Sequence, residues 1–121
     1  MRKTVLVVDD AGVARQMNAL TLAREGFDVI ESVNGREALS KIQGRKIDLV
    51  VTDINMPEMD GIEFIKQLRG MDEHKFTPVI VITTLSQEEK VKEGREAGAS
   101  GWIYKPFLPK QLIETVRKFL S

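Results

Sequence analysis

Residues 47–69 read IDLVVTDINMPEMDGIEFIKQLR, and the change of spacing within them decides the fold. Ile47–Thr52 is a short apolar run rich in β-branched residues, the composition of a strand buried on both faces. From Asp60 onward the period becomes helical, with Ile62, Ile65 and Leu68 on one face. Asp60 precedes Glu63 by three residues, a pairing that satisfies the free amide donors of a helix start. Between strand and helix Asp53 stands at the strand's carboxyl end, followed by Asn55, Met56 and Pro57, the proline restricting the turn. An acid in that position is either a nearby cap or the working end of a site.

The same strand–turn–helix unit recurs along the chain. Apolar segments fall at Thr4–Val8, Phe27–Ser32, Ile47–Thr52, Pro78–Thr83 and Gly101–Lys105. Between them lie helical stripes: Val13, Met17 and Leu20 with Ala23; Ala38, Leu39 and Ile42; and, at the end of the chain, Leu112, Ile113, Val116, Phe119 and Leu120. Asn34 with Glu37, and Ser86 with Glu89, are placed to cap two more helices, and Gly26 and Gly98 to end the first and the fourth. The fourth helix, SQEEKVKEGREAGA, has few large apolar residues and an internal Gly94, so it is expected to lie more exposed than the others. Five βα units with short connections make an α/β protein, a (βα)5 doubly wound parallel sheet, because a closed barrel needs about eight such units. In an open sheet of this kind, sites form outside the carboxyl ends of the strands.

The 121 residues suit one domain, residues 1–121, with one core. Eighteen basic and eighteen acidic residues cancel, which gives no electrostatic reason to expect a nucleic-acid partner. The chain has no cysteine and hence no thiol chemistry. The opening MRKTVLVVDD carries four consecutive apolar residues before two aspartates, too few for a signal-peptide core or for membrane insertion. A cytoplasmic protein is the expectation.

Strand ends bring four separate spots together: Asp9-Asp10, Asp53, Thr83 and Lys105. Each has a plainer reading: Asp9 and Asp10 as helix caps, Asp53 as a turn former, Thr83 as a strand terminus, Lys105 as a solvated charge. Their joint placement at carboxyl strand ends favours a site. Three gathered carboxylates repel one another and call for a cation or a lysine in compensation. Oxygen donors without cysteine, and with one remote histidine, fit a hard ion such as Mg2+. A carboxylate beside a metal, a lysine and a hydroxyl can accept a phosphoryl group as an acyl phosphate, with the backbone N–H groups of Asn55 and Thr84 as further donors. No residue stands out as a general base for attacking water, which permits an acyl phosphate that lasts long enough to signal.

The stretches VLVVDD, VVTDINMPEMDG, VIVITT and GWIYKPF, in this order and across nearly the whole chain, closely resemble the receiver domains of bacterial two-component systems, especially the single-domain chemotaxis response regulators. The resemblance implies the strand order 2-1-3-4-5. It implies Asp53 as phosphoacceptor, with Thr83 and Lys105 completing the catalytic set. Mg2+ would be held by Asp10 and Asp53 directly, by the Asn55 carbonyl, and by Asp9 mainly through metal-bound water. It implies a cis Lys105-Pro106 bond, and a switch in which Thr83 moves toward the phosphoryl group while the aromatic residue at Trp102 turns inward. Tyr or Phe is usual there, so the larger indole makes inward packing more demanding. Tyr104 shares the strand face of Trp102 but is not the switch position. Leu108 stands where relatives often have a side-chain oxygen to cap the last helix. The output face implied by the family includes Lys90, Lys92, Trp102, Lys110, Gln111 and Lys118. The phosphodonor would be a sensor histidine kinase or a histidine phosphotransfer protein, the output the flagellar motor switch, with a phosphatase as a further partner.

Three other readings compete with this one. A hydrolase working through an aspartyl phosphate in a DxD context lacks its second carboxylate here, since the sequence is DIN, and has no cap-sized insertion. A constitutive adaptor that kept the fold is suggested only by Trp102. A nucleotide-binding role is weaker, because the first βα turn, DDAGVAR, crowds acids where phosphates would sit and lacks a glycine cradle.

Overall fold

The computed structural model describes residues 2–56 and 59–120, apart from the side chain of Leu85; Pro57, expected to restrict the turn after Asp53, lies outside them. Strands β1 (Thr4–Val8), β2 (Asp28–Ser32), β3 (Leu49–Asp53), β4 (Val79–Thr83) and β5 (Gly101–Tyr104) alternate with helices α1 (Gly12–Arg24), α2 (Gly35–Lys41), α3 (Gly61–Arg69), α4 (Glu88–Ala97) and α5 (Pro109–Leu120). All strands run parallel in the order β2-β1-β3-β4-β5, as expected. Asp53 belongs to β3, which starts at Leu49; just before it the Asp48 carboxylate accepts the Thr4 N–H at 2.7 Å and the Asp48 N–H donates to the Thr4 carbonyl at 2.9 Å.

The strands are buried on both faces because consecutive residues serve different cores. Leu6 and Val8 join Val50, Phe64, Ile65, Leu68 and Val81 in the core under α2 and α3. Val5 and Val7 join Leu22, Val51, Ile80, Leu112 and Val116 in the core under α1 and α5. This period-two division explains why β1 reads as an unbroken apolar run.

Helix α1 departs from its expected stripe. Val13, Met17 and Leu20 are 75%, 60% and 52% exposed, and Ala23 is exposed as well. The helix instead buries Ala19 and Leu22, with Arg15 half-buried one turn earlier. Residues 15, 19 and 22 share a face as regularly as 13, 17 and 20 do, but the inward face carries a guanidinium and a small side chain. The Arg15 guanidinium is satisfied there by the Asp9 carbonyl at 3.0 Å and by Glu31 at 3.1 Å. Hydrophobicity alone selected the wrong face.

The caps at Asn34 and Asp60 form as expected, with each side chain accepting the N–H of Glu37 (2.8 Å) and Glu63 (2.9 Å) respectively. The expected Ser86–Glu89 cap does not. A 3-10 turn over Leu85–Gln87 precedes α4, whose N-cap is Gln87 without a side-chain cap bond, and the Ser86 hydroxyl pairs with Thr84 Oγ1 at 2.8 Å. At α5 the missing oxygen at Leu108 is compensated from the other side: Gln111 Oε1 accepts the Leu108 N–H at 2.7 Å, and Pro109 fills the first helical position.

Arg69, at the C-terminal end of α3, fastens the edge of the sheet remote from Asp53. Its Nη1 donates to the carbonyls of His74 (2.9 Å) and Thr77 (2.6 Å), and its Nη2 to the carbonyl of Gly98 (2.8 Å). Gly98 ends α4 at φ +114°, a left-handed conformation that glycine adopts without strain. Gly26, likewise at positive φ, follows α1 as expected. Among the described residues no helix is long and apolar enough to cross a membrane.

Candidate functional site at the carboxyl strand ends

Parallel pairing brings the expected residues to one edge. Val8 lies beside Thr52 and Asp53 beside Ile82, so Asp9, Asp53 and Thr83 follow one another across three adjacent strand ends. The Lys105 N–H donates to the Thr83 carbonyl at 2.7 Å, which carries the β4–β5 pairing one residue past β5 and fixes where the lysine leaves the sheet. Its Nζ reaches Asp53 Oδ2 at 2.6 Å. The Lys105-Pro106 peptide bond is cis, as expected.

Asp53 is buried, and its second oxygen, Oδ1, accepts the Asn55 N–H at 3.3 Å. The turn behind it is tight. The Gly61 N–H donates to the Ile54 carbonyl at 2.8 Å, and a Cβ at Gly61 would stand 2.3 Å from the Asp53 carbonyl oxygen. Only glycine lets α3 begin so close to the end of β3.

Asp9 is 2% exposed, whereas Asp10 is exposed beside it. Burial pushes the Asp9 carboxyl above the usual carboxylate range. The Ala11 N–H, bonded to its Oδ1 at 2.9 Å, opposes this; Asp53 pushes further up, Lys105 pulls down, and Asp10 adds to the rise. The Asp9 carboxyl therefore responds to both neighbouring acids and to the lysine.

Among the described residues no group of three or more His, Cys, Asp or Glu side chains is arranged to hold a metal ion. Asp53 Oδ2 is taken up by Lys105 and one oxygen of Asp9 by Ala11. The donor chemistry nonetheless suits a hard divalent cation: Asp9, Asp10 and Asp53, with the Asn55 carbonyl, offer only oxygen, and their charge exceeds that of Lys105.

Thr83 is buried, and its hydroxyl points toward α4, donating to Gln87 Oε1 at 3.1 Å. Trp102 is half-buried against α4. Its ring lies where a Cβ at Gly94 would stand 2.9 Å from Cη2, and the Arg95 guanidinium sits 5.9 Å from the ring centroid, within cation–π range. Of the expected output face, Lys92, Lys110, Gln111 and Lys118 are exposed and Lys90 half-exposed, and Gln111 is engaged in capping α5. A groove of about 390 Å3 adjoins the site between Asp9, Met17, Thr21, Lys105 and Phe107. Sequence reasoning missed Arg15 and Gln87; neither belongs to a motif, and both act through partners that only the fold brings near.

Comparison with known proteins agrees with this geometry. The family described as the response regulator receiver domain matches residues 5–117. The chemotaxis protein CheY of Thermotoga maritima is 40% identical over 119 residues, 98% of each chain. The solved structure of the Vibrio cholerae chemotaxis protein CheY4 is 42% identical with a TM-score of 0.94, over 98% of this chain and 99% of that one. The transcriptional regulatory protein SrrA of Staphylococcus aureus is 37% identical over 120 residues; the match takes in 99% of this chain but 48% of that protein, so this chain spans about half the length of SrrA.

Proposed function

This chain belongs to the response regulator receiver domain family, and on that footing we propose that Asp53 accepts a phosphoryl group from a phosphohistidine and that the modified chain changes its affinity for an output protein. Receiver domains are phosphotransfer modules that also dephosphorylate themselves, not metabolic enzymes. The observation that carries the assignment is the Lys105–Asp53 pair of 2.6 Å, seated beside Asp9 at the carboxyl strand ends.

In the transfer an Asp53 carboxylate oxygen attacks phosphorus, the P–O bond forms as the P–N bond to the donor imidazole breaks, and the imidazole nitrogen takes up a proton. Asp10, Asp53 and the Asn55 carbonyl, with Asp9 mainly through metal-bound water, would hold Mg2+, which would neutralise phosphoryl charge. Lys105 follows the negative charge from the carboxylate to a phosphoryl oxygen, and Thr83 supplies a hydroxyl donor from the adjacent strand end. Slow hydrolysis of the acyl phosphate by the chain itself is part of the same proposal.

The output is proposed to be chemotaxis through the motor switch, with the donor a histidine kinase or histidine phosphotransfer protein, a phosphatase as a further partner and the cytoplasm as the site of action. Support comes from the two chemotaxis proteins matched over nearly their whole length, while the likeness to SrrA, a transcriptional regulatory protein, shows that the fold also serves regulators outside chemotaxis; a phosphorelay intermediate is the second reading. The exposed lysines of α4 and α5, with Trp102, are the proposed partner face. Incubation with a small phosphodonor and Mg2+ should add one phosphoryl group to the intact mass of the wild type and none to Asp53→Asn. Persistent full labelling of the variant would overturn the assigned acceptor.

A further inference from the structure

We infer that Gln87 is a latch on Thr83, a positioning residue that holds the hydroxyl away from Asp53 until a phosphoryl group competes for it; this rests on the proposed role of Thr83. The Thr83 backbone is fixed, because its carbonyl accepts the Lys105 N–H at 2.7 Å and its α-carbon lies in register with Tyr104. What remains free is rotation of the side chain. A threonine hydroxyl has one hydrogen to donate, and here it goes to Gln87 Oε1 at 3.1 Å, with the Thr84 carbonyl a long alternative at 3.5 Å. The hydroxyl cannot donate to Gln87 and to a phosphoryl oxygen together, so the two arrangements exclude each other. Competition of that kind makes a two-state element.

The acceptor is also well placed to pass the change on. Gln87 is the N-cap of α4, at φ −115° and ψ 41°, outside the helical region, and α4 has no side-chain cap bond. Its N–H closes the 3-10 turn on the Thr84 carbonyl at 3.1 Å. The Thr83–Gln87 bond is therefore a side-chain tie between the end of β4 and the first residue before α4. When Thr83 turns to the phosphoryl group this tie is lost, and the start of α4 is released from the strand. Removing the acceptor has the same effect without phosphorylation, so a latch-free chain is partly pre-organised for the modified state.

The test measures affinity for beryllofluoride with Mg2+, a phosphoryl mimic, by calorimetry. Gln87→Met keeps the length of the side chain and removes the acceptor, and Gln87→Ala removes both; the residue is half-exposed, and unchanged thermal unfolding checks the fold. Each is expected to tighten binding roughly threefold to tenfold, the range a single neutral hydrogen bond supplies. Thr83→Ala is expected to weaken binding, and adding Gln87→Met to it should then change nothing further. In the wild type the Gln87 side-chain amide resonances should shift when the mimic binds, and in Thr83→Ala they should not. If Thr83→Ala binds as tightly as wild type, the role assigned to Thr83 is wrong. If Thr83→Ala weakens binding while Gln87→Met leaves it unchanged, or acts equally in both backgrounds, Thr83 keeps its role and the latch is refuted.

Discussion

Lys105 Nζ and Asp53 Oδ2 lie 2.6 Å apart across the β3 and β5 strand ends, and the lysine side chain is still 40% exposed where the aspartate side chain is 10% exposed. The partial exposure matters for what the pair does. Solvent screening keeps its contribution to folding under about 1 kcal/mol. An exposed ammonium can follow charge outward from the carboxylate, so the pair serves transfer more than stability. Lys105→Met should therefore unfold within about 1 kcal/mol of wild type while losing about 100-fold in the initial rate of labelling by a small phosphodonor. Unfolding curves and time-resolved intact mass measure the two effects separately.

Asp9 gives the opposite balance. Its carboxyl is held above the usual range chiefly by burial, so the folded chain keeps the proton to higher pH than the unfolded chain does. This group favours folding below the ordinary carboxylate pKa, and that contribution is lost as pH rises through its folded value. Asp9→Asn retains an oxygen for the Ala11 N–H and removes the charge. Without divalent cations it should stabilise the chain by about 1 kcal/mol at pH 7, with the advantage shrinking on acidification. Denaturant titrations at several pH values check the sign, and added Mg2+ should stabilise the wild type more than the variant.

Gly61→Ala would place a methyl group 2.3 Å from the Asp53 carbonyl oxygen and 2.9 Å from Ile54 Cα, both backbone atoms that cannot swing aside. A loss of about 3 kcal/mol in unfolding free energy is expected, together with slower labelling of Asp53 even under conditions where the variant is folded.

Gly94 and Trp102 should show a change of sign. Alanine at an exposed helix position is worth about 1 kcal/mol over glycine, but here its Cβ meets the indole at 2.9 Å. Gly94→Ala should be neutral or destabilising in the wild type and stabilising by about 1 kcal/mol in a Trp102→Ala background. A double-mutant cycle of thermal unfolding resolves this, and Trp102, the only tryptophan, reports the ring's displacement by fluorescence.

Much of this arrangement was legible because it follows from periodicity. The unbroken apolar runs at Val5–Val8 and Val79–Ile82 specify two-faced burial, two-faced burial specifies helices on both sides, and that topology gathers Asp9, Asp53, Thr83 and Lys105. What escaped were choices between equivalent local patterns. On α1 the faces led by Val13 and by Arg15 are equally regular, and the decision came from Glu31 and the Asp9 carbonyl. Before α4, Ser86 has the spacing of a cap, yet Thr84 takes its hydroxyl and the chain enters through a 3-10 turn. The Thr83–Gln87 bond has no signature at all, since a glutamine four residues past a threonine is unremarkable until the turn folds.

The fastening by Arg69 bears on how α4 can move. Its guanidinium holds the Gly98 carbonyl at 2.8 Å, and the two helix-terminal bonds from the Gly98 N–H reach Gly94 and Arg95 at 3.1 Å. The far end of the same helix is tied to the sheet's active edge through Gln87. Ten residues span about 15 Å, so on the latch inferred above α4 would turn about Gly98, with its moving end beside Thr83 once the Gln87 tie is lost. Rotation about that pivot displaces the Glu88 turn most and Ala97 least. On the latch inferred above, a change of one hydroxyl partner at the strand end would displace the first turn of α4, where Lys90 stands, more than its last.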